Sequence, residues 1–202
     1  MPAAVGHLTS EEAPLARAAR LALLALLLVA AGCTHAKRPP AAAPTTTAAA
    51  PAGLRIALDV RVRGTGDAGR AAAQATPGLQ RFLDDYLTTA FVGAAGRLRT
   101  ADLLALFDAP VRAAAQRQLD ALSLGGDAGR VSAVRPGRAA ADAVVLADAG
   151  RPLAATVRLD FDGTADSAQG SGPLRLRAVF QLVAAGDGWR IAAFSSRTGA
   201  GT

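Results

Sequence analysis

The order of patterns along residues 54–202 predicts an α+β domain, a curved antiparallel sheet wrapped around N-terminal helices. Two observations carry this. Between residues 76 and 122 the apolar side chains recur at spacings of three and four, the period of a helix face. From residue 130 to 194 they recur at every second position, the period of a half-buried strand. A shorter alternating run, residues 54–63, precedes the helices.

In that first run Leu54, Ile56, Leu58, Val60 and Val62 alternate with Arg55, Ala57, Asp59, Arg61 and Arg63, which predicts a strand with one buried face. The Gly-rich, polar stretch from Gly64 to Ala75 reads as a loop. Thr76 and Pro77 then supply a cap and a first-turn proline, and Leu79, Phe82, Leu83, Tyr86, Leu87, Ala90 and Phe91 form the strongest helical stripe of the chain. Thr100 caps a second helix reaching Phe107. A third follows Pro110, with Val111, Ala114, Ala115, Leu119 and Leu122 on one face, and ends at Gly125 and Gly126. Strands are expected over 130–135, stopping at Pro136 and Gly137, and over 139–146, 156–162, 174–182 and 189–194, with a turn at 186–188. The outward Arg158, Asp160 and Asp162 stand ready to pair with Arg175 and Arg177, each pair contributing a few tenths of a kcal/mol, about 0.2–1.

Ahead of the domain the chain reads as an address. Arg17 and Arg20 precede an apolar run from Leu21 to Gly32, the pattern of a secretory signal peptide over residues 1–32. The run is short of the roughly 20 residues that a membrane-spanning helix needs. It ends in Val29, Ala30, Ala31, Gly32 and Cys33. This resembles the bacterial lipobox, with Ala30 standing where Leu is usual. The resemblance implies that Cys33 carries a diacylglyceryl group, becomes the first residue after cleavage, and holds the protein on the outer face of the bacterial cytoplasmic membrane. Two or more acyl chains give stable anchoring where one is marginal. Residues 33–53 comprise this cysteine and a Pro/Ala/Thr-rich tether with no apolar periodicity. At ~3.1 Å per residue it spans about 60 Å when extended. Thr45, Thr46 and Thr47 beside Pro44 are candidate sugar acceptors. Residues 54–202 form the single domain.

Arg outnumbers Lys by 21 to 1 and the net charge is +6, while aromatic residues are only 4% of the chain. GC-rich coding accounts for that balance, with attraction to anionic headgroups as the functional alternative. The arginines are scattered, and one Tyr and one Trp leave little for stacking on bases, so nucleic acid is not an expected partner.

Two stretches carry a further resemblance. Arg81 to Thr88 resembles the first, aromatic-rich helix of the nuclear transport factor 2-like superfamily, and Gln181 to Ile191 is similar to its final hairpin, where a Gly-containing turn is followed by Trp, a variable residue and Ile or Val. The superfamily fold is a cone, a curved sheet around helices, and the strand at 54–63 is additional to it. Secreted or membrane-tethered actinobacterial members resemble the chain most, among them Mce-associated accessories of lipid importers and components of conjugation channels. That likeness implies a non-enzymatic scaffold that binds protein partners in an envelope assembly. The alternative it implies is a module for a small apolar ligand or lipid, with a cone cavity lined by Phe82, Tyr86, Phe180 and Trp189. Relatives dimerise through the open sheet face, which here carries Arg158, Arg175 and Arg177.

The chemistry that is missing narrows the function. His7 and His35 are the chain's histidines and Cys33 its cysteine, so residues 54–202 contain no His, no Cys and no Glu. That removes Ser-His-Asp and Cys-His catalysis and the usual zinc ligand sets. Gly64 and Gly66 lack the third glycine of a phosphate-binding loop. No catalytic residue, metal site or cofactor is expected. Ketosteroid-isomerase-like relatives use a buried acid and a Tyr, and Asp84, Asp85 and Tyr86 are adjacent here. Helical spacing nevertheless turns both aspartates away from the apolar face that holds Tyr86.

Overall fold

The computed structural model describes residues 54–186 and 188–200. The expected signal peptide, Cys33 and the tether lie outside the described residues. The order of elements is strand, helices, then four strands: β1 (Ile56–Gly64), α1 (Ala68–Ala90), α2 (Thr100–Ala105), α3 (Arg112–Arg117), α4 (Leu119–Leu122), β2 (Val131–Asp148), β3 (Arg151–Ser167), β4 (Gly170–Ala185) and β5 (Gly188–Ala200). Short 3₁₀ turns at Val92–Ala94, Ala109–Val111 and Gly125–Asp127 punctuate the helical region. The fold class is α+β, as the patterns predict.

The five strands form one open sheet in the order β1-β2-β3-β4-β5. From β2 to β5 each neighbour is antiparallel. β1 departs from the expected antiparallel sheet: it lies parallel to β2, from Ile56 opposite Ala139 to Gly64 opposite Ala147, so the sheet is mixed. The cause is topological. A parallel neighbour needs a crossover of a dozen or more residues, and the helical region between β1 and β2 provides it.

α1 begins nine residues before the expected start, its cap at Asp67 and not at Thr76. The Asp67 carboxylate accepts a hydrogen bond from the Arg70 backbone N–H at 3.0 Å. The following Ala71–Ala75 segment is rich in the best helix former, and Ala71 and Ala75 are buried. Thr76-Pro77 is therefore interior to the helix. Pro77 removes the backbone bond to residue 73, a loss of order 3 kcal/mol in an ordinary helix interior. The Thr76 hydroxyl meanwhile donates to the Ala72 carbonyl at 2.7 Å. A cap-like Thr-Pro pair was the strongest local start signal, and burial of the upstream alanines overrides it.

The expected third helix is broken into the 3₁₀ turn at Ala109–Val111, α3 and α4, because Gln118 leaves helical geometry (φ −117°, ψ 25°). The expected strands at 130–135 and 139–146 are instead one strand, β2. Pro136 and Gly137 do not end it; they sit in a bulge, where the register slips between Pro136 opposite Gly163 and Ala139 opposite Phe161. A bulge tolerates the missing proline N–H. Gly137 is required there, since a Cβ would lie 2.9 Å from the Asp162 carbonyl oxygen. β3 and β4 likewise extend beyond their expected ends.

The loop after β1 clasps the β2–β3 turn. The Thr65 hydroxyl donates to the Asp148 carboxylate at 2.7 Å and accepts from the Ala149 backbone N–H at 2.9 Å, and the Gly150 N–H donates to the Thr65 carbonyl at 3.0 Å. In that turn Ala149 adopts φ 48°, a left-handed conformation that costs a side-chain-bearing residue about 1–2 kcal/mol.

One core joins helices to sheet. Leu79, Phe82, Leu83, Tyr86 and Leu87 of α1 pack with Val157, Leu159, Phe161, Leu176, Phe180 and Ile191 of the strands, all buried.

Candidate functional site

Three regions carry distinct chemistry: the helix-packed interior, a cleft at one end of the sheet, and the outer sheet face.

The interior holds the four predicted cavity residues, and three of them, Phe82, Tyr86 and Phe180, pack against one another. Phe82 and Tyr86 stack one helical turn apart with ring centroids 6.5 Å apart. Phe180 meets Tyr86 edge-on at 4.9 Å and Phe82 at 6.4 Å, geometries that aromatic quadrupoles favour. Phe91 extends the cluster to Phe161 at 5.6 Å. Trp189 lies apart, its indole over Gly78 of α1, where an added Cβ would stand 3.0 Å from Nε1. It joins the last strand to the helix at a position where the helix has no side chain.

Tyr86 is fully buried and donates its hydroxyl to the Leu122 carbonyl at 2.6 Å. Burial pushes its pKa far up, so the phenol stays neutral. Asp84 and Asp85 point away from it: Asp85 is exposed, and Asp84 is half-buried beside Gln80 on the next turn. The sequence therefore places Tyr86 correctly on the apolar face, and its hydroxyl serves the break between α4 and the following turn. Among the described residues no cluster of three or more His, Cys, Asp or Glu has a metal-binding arrangement.

A cleft of about 1210 Å³ opens where the end of α4 and the Gly125–Asp127 turn approach the tip of the β3–β4 hairpin. Leu124, Val131 and Leu174 supply its apolar lining, and Arg130, Gln169 and Thr198 its polar lining. None of the four predicted cavity residues lines it. Local sequence carries no sign of this cleft, because its walls come from segments as distant as Asp120 and Thr198. Arg130 is engaged by Asp127, and Thr198 donates to the Ala121 carbonyl at 2.8 Å. One row deeper on β5, Ser196 Oγ is buried without a hydrogen-bond partner.

The outer face carries the remaining expected residues. Arg177 pairs with Asp160, and Arg175 approaches Asp162 at 3.6 Å, the cross-strand pairs that alternation predicts. Arg158 stands opposite Asp142 in the register. The same face leaves apolar side chains uncovered: Leu146 is about half exposed (52%) and Val179 and Val144 about a third (37% and 36%), while Leu153, at the register shift where β3 begins, is 48% exposed. Val144, Leu146 and Val179 belong to the outward rows of β2 and β4, and Leu153 to the start of β3.

No helix among the described residues is long and apolar enough to cross a membrane. No family model, no curated protein and no solved structure matches the chain.

Proposed function

We propose that the chain is an extracytoplasmic lipoprotein, tethered through lipid on Cys33, whose nuclear transport factor 2-like domain acts as a non-enzymatic, partner-binding accessory of an envelope assembly. The observation that carries the reading is the contrast between a filled interior and an outer face with uncovered apolar side chains. Phe82, Tyr86 and Phe180 occupy the space where a cone would hold a ligand, while on the outer face Val179 stands in the open two residues from ion-paired Arg177, and Leu146 stands in the open further along the sheet. Mixed apolar and charged surfaces of this kind suit protein recognition. The helix-then-sheet order, and the final hairpin from Gln181 to Ile191 with Trp189 against the first helix, support the superfamily assignment.

Two experiments test it. Growth of expressing cells with a fatty-acid analogue should label the full chain, and Cys33→Ala should abolish the label; an equally labelled Cys33→Ala chain would refute the tether. A photo-crosslinking residue at Leu146 should capture a discrete envelope protein that the same residue at Gln116, exposed on α3, does not. Identical capture from both positions would refute the outer face as the recognition surface.

The second reading, a module for a small apolar ligand, is favoured by the cleft with Leu124, Val131 and Leu174 in its wall. Native mass spectrometry of gently purified protein separates the two: a co-purifying hydrophobic mass, lost on Leu174→Asp, would favour the ligand.

A further inference from the structure

The two edges of the sheet are treated differently. β5 is partly covered: the Asp108 N–H donates to the Ile191 carbonyl at 2.8 Å and the Ile191 N–H to the Leu106 carbonyl at 2.9 Å. β1 pairs with β2 on one side, and among the described residues no backbone group bonds its other side. Such an edge is a template for another strand. Its inward residues, Leu58, Val60 and Val62, are only half-buried, although each packs on the core.

Edge charges in natural sheets usually block pairing. Those of β1 instead select it. On the outward side the order is Arg55, Ala57, Asp59, Arg61, Arg63. If a second β1 runs antiparallel with Val60 opposite Val60, Asp59 of each chain faces the partner's Arg61. Ala57 then faces the partner's Arg63, and Leu58 faces the partner's Val62 on the inner side. Moving the centre by one residue places Asp59 on Asp59, or Arg61 on Arg61, and like charges directly opposite are destabilising. Registers between these would put inward residues against outward ones, which the period of two forbids. Asp59 also sits beside Asp142 of β2. One of these neighbouring carboxylates has Arg61 of its own chain at 3.6 Å, so a second guanidinium at this corner is favourable.

We propose that β1 is a self-pairing edge, joining two copies of the chain through an antiparallel β1–β1 ladder centred on Val60, so that the two sheets run on as one. The occupant is a second copy because the strand's own charge order is complementary to itself under a twofold axis, the condition for an isologous contact. The proposal does not depend on the lipid at Cys33. An edge joint is small beside the ~1,200–2,000 Å² of a stable interface, so the association is weak and calls for a trapping experiment.

Directly opposed antiparallel residues have Cα atoms about 4.5–5.5 Å apart, within disulfide range. The full chain with Val60→Cys is expressed in cells, mildly oxidised and resolved without reductant, against the parent chain, whose Cys33 sets the baseline, and against Leu153→Cys on the open end of β3. A covalent dimer at least fivefold above both controls is expected. In the Val60→Cys background, Asp59→Arg or Arg61→Asp each sets two like pairs in the ladder and should lower trapping roughly fivefold, and the double reversal should restore it. Asp59 and Arg61 are exposed, and Val60→Cys removes only one heavy atom at a half-buried edge position, so the fold is retained. Trapping no greater than in the controls, trapping insensitive to single reversal, or failure of the double reversal to restore it would each overturn the proposal. Equal trapping at Leu153→Cys would assign contact between copies to the β2–β3 turn end of the sheet instead.

Discussion

The two faces of the sheet differ sharply although the same strands make both. Val157, Leu159, Phe161, Leu176 and Phe180 point toward the helices and are buried; their immediate neighbours Arg158, Asp160, Asp162, Arg175, Arg177 and Val179 point outward. On the inner face side chains interlock, so the identity of each matters. On the outer face charges pair in water and apolar groups stand free, so individual residues contribute little to folding and remain available for recognition. Stability thereby rests on one set of alternate residues and the other set is left to the surface, a division that period-two geometry makes possible.

The largest expected effect breaks the inner face. Phe180→Ala removes the ring that joins Phe82 to Tyr86 and should lower unfolding free energy by about 3–5 kcal/mol, measured by urea titration, while Val179→Thr beside it should stay within about 0.5 kcal/mol. Equal losses at the two positions would dissolve the contrast. Tyr86→Phe keeps the packing but leaves the Leu122 carbonyl unpaired, a cost of about 1–3 kcal/mol.

The same residue supplies a pH signature. The folded pKa of Tyr86 lies above its unfolded value of about 10. The folded state therefore binds more protons above that pH, and the stabilisation, fully present below pH ~10, is lost as pH rises beyond it. Wild-type stability should fall above about pH 10 more steeply than that of Tyr86→Phe, and parallel curves would contradict the burial.

Smaller effects sharpen the comparison. Ala149→Gly relieves the left-handed turn between β2 and β3 and should stabilise by about 0.5–1 kcal/mol, net of the extra freedom glycine gives the unfolded chain. Arg177→Ala, on the outer face, should change thermal stability by no more than about 0.5 kcal/mol, since exposed ion pairs contribute little; a larger loss would make the outer face structural.

Much of this was legible in the chain. The alternation from Thr156 to Asp162 and from Leu174 to Leu182 identified which side chains point inward, and the stripe from Leu79 to Phe91 identified the helix that covers them. The outward charge pairs Arg177–Asp160 and Arg175–Asp162 followed from the same alternation. The predicted cavity residues were located on the right faces, yet their mutual packing was not legible, because periodicity reports direction and not the distance to what lies opposite. Pro136-Gly137 and Thr76-Pro77 misled for a common reason: each is a strong local stop or start signal that burial on either side outweighs.

By itself, then, the sequence determined the α+β class, the facing of residues in the alternating runs 54–63, 156–162 and 174–182, and the absence of histidine, cysteine and glutamate from residues 54–202, all of which depend on residue identity and local period. Only the tertiary structure decided that β1 runs parallel to β2, that the aromatic residues of α1 and β4 close on one another, and that among the described residues one sheet edge is partly covered while the other has no backbone partner. Those features depend on which distant segments meet, and the contact energies that choose among such meetings are sums over many residues with no signature at any one of them.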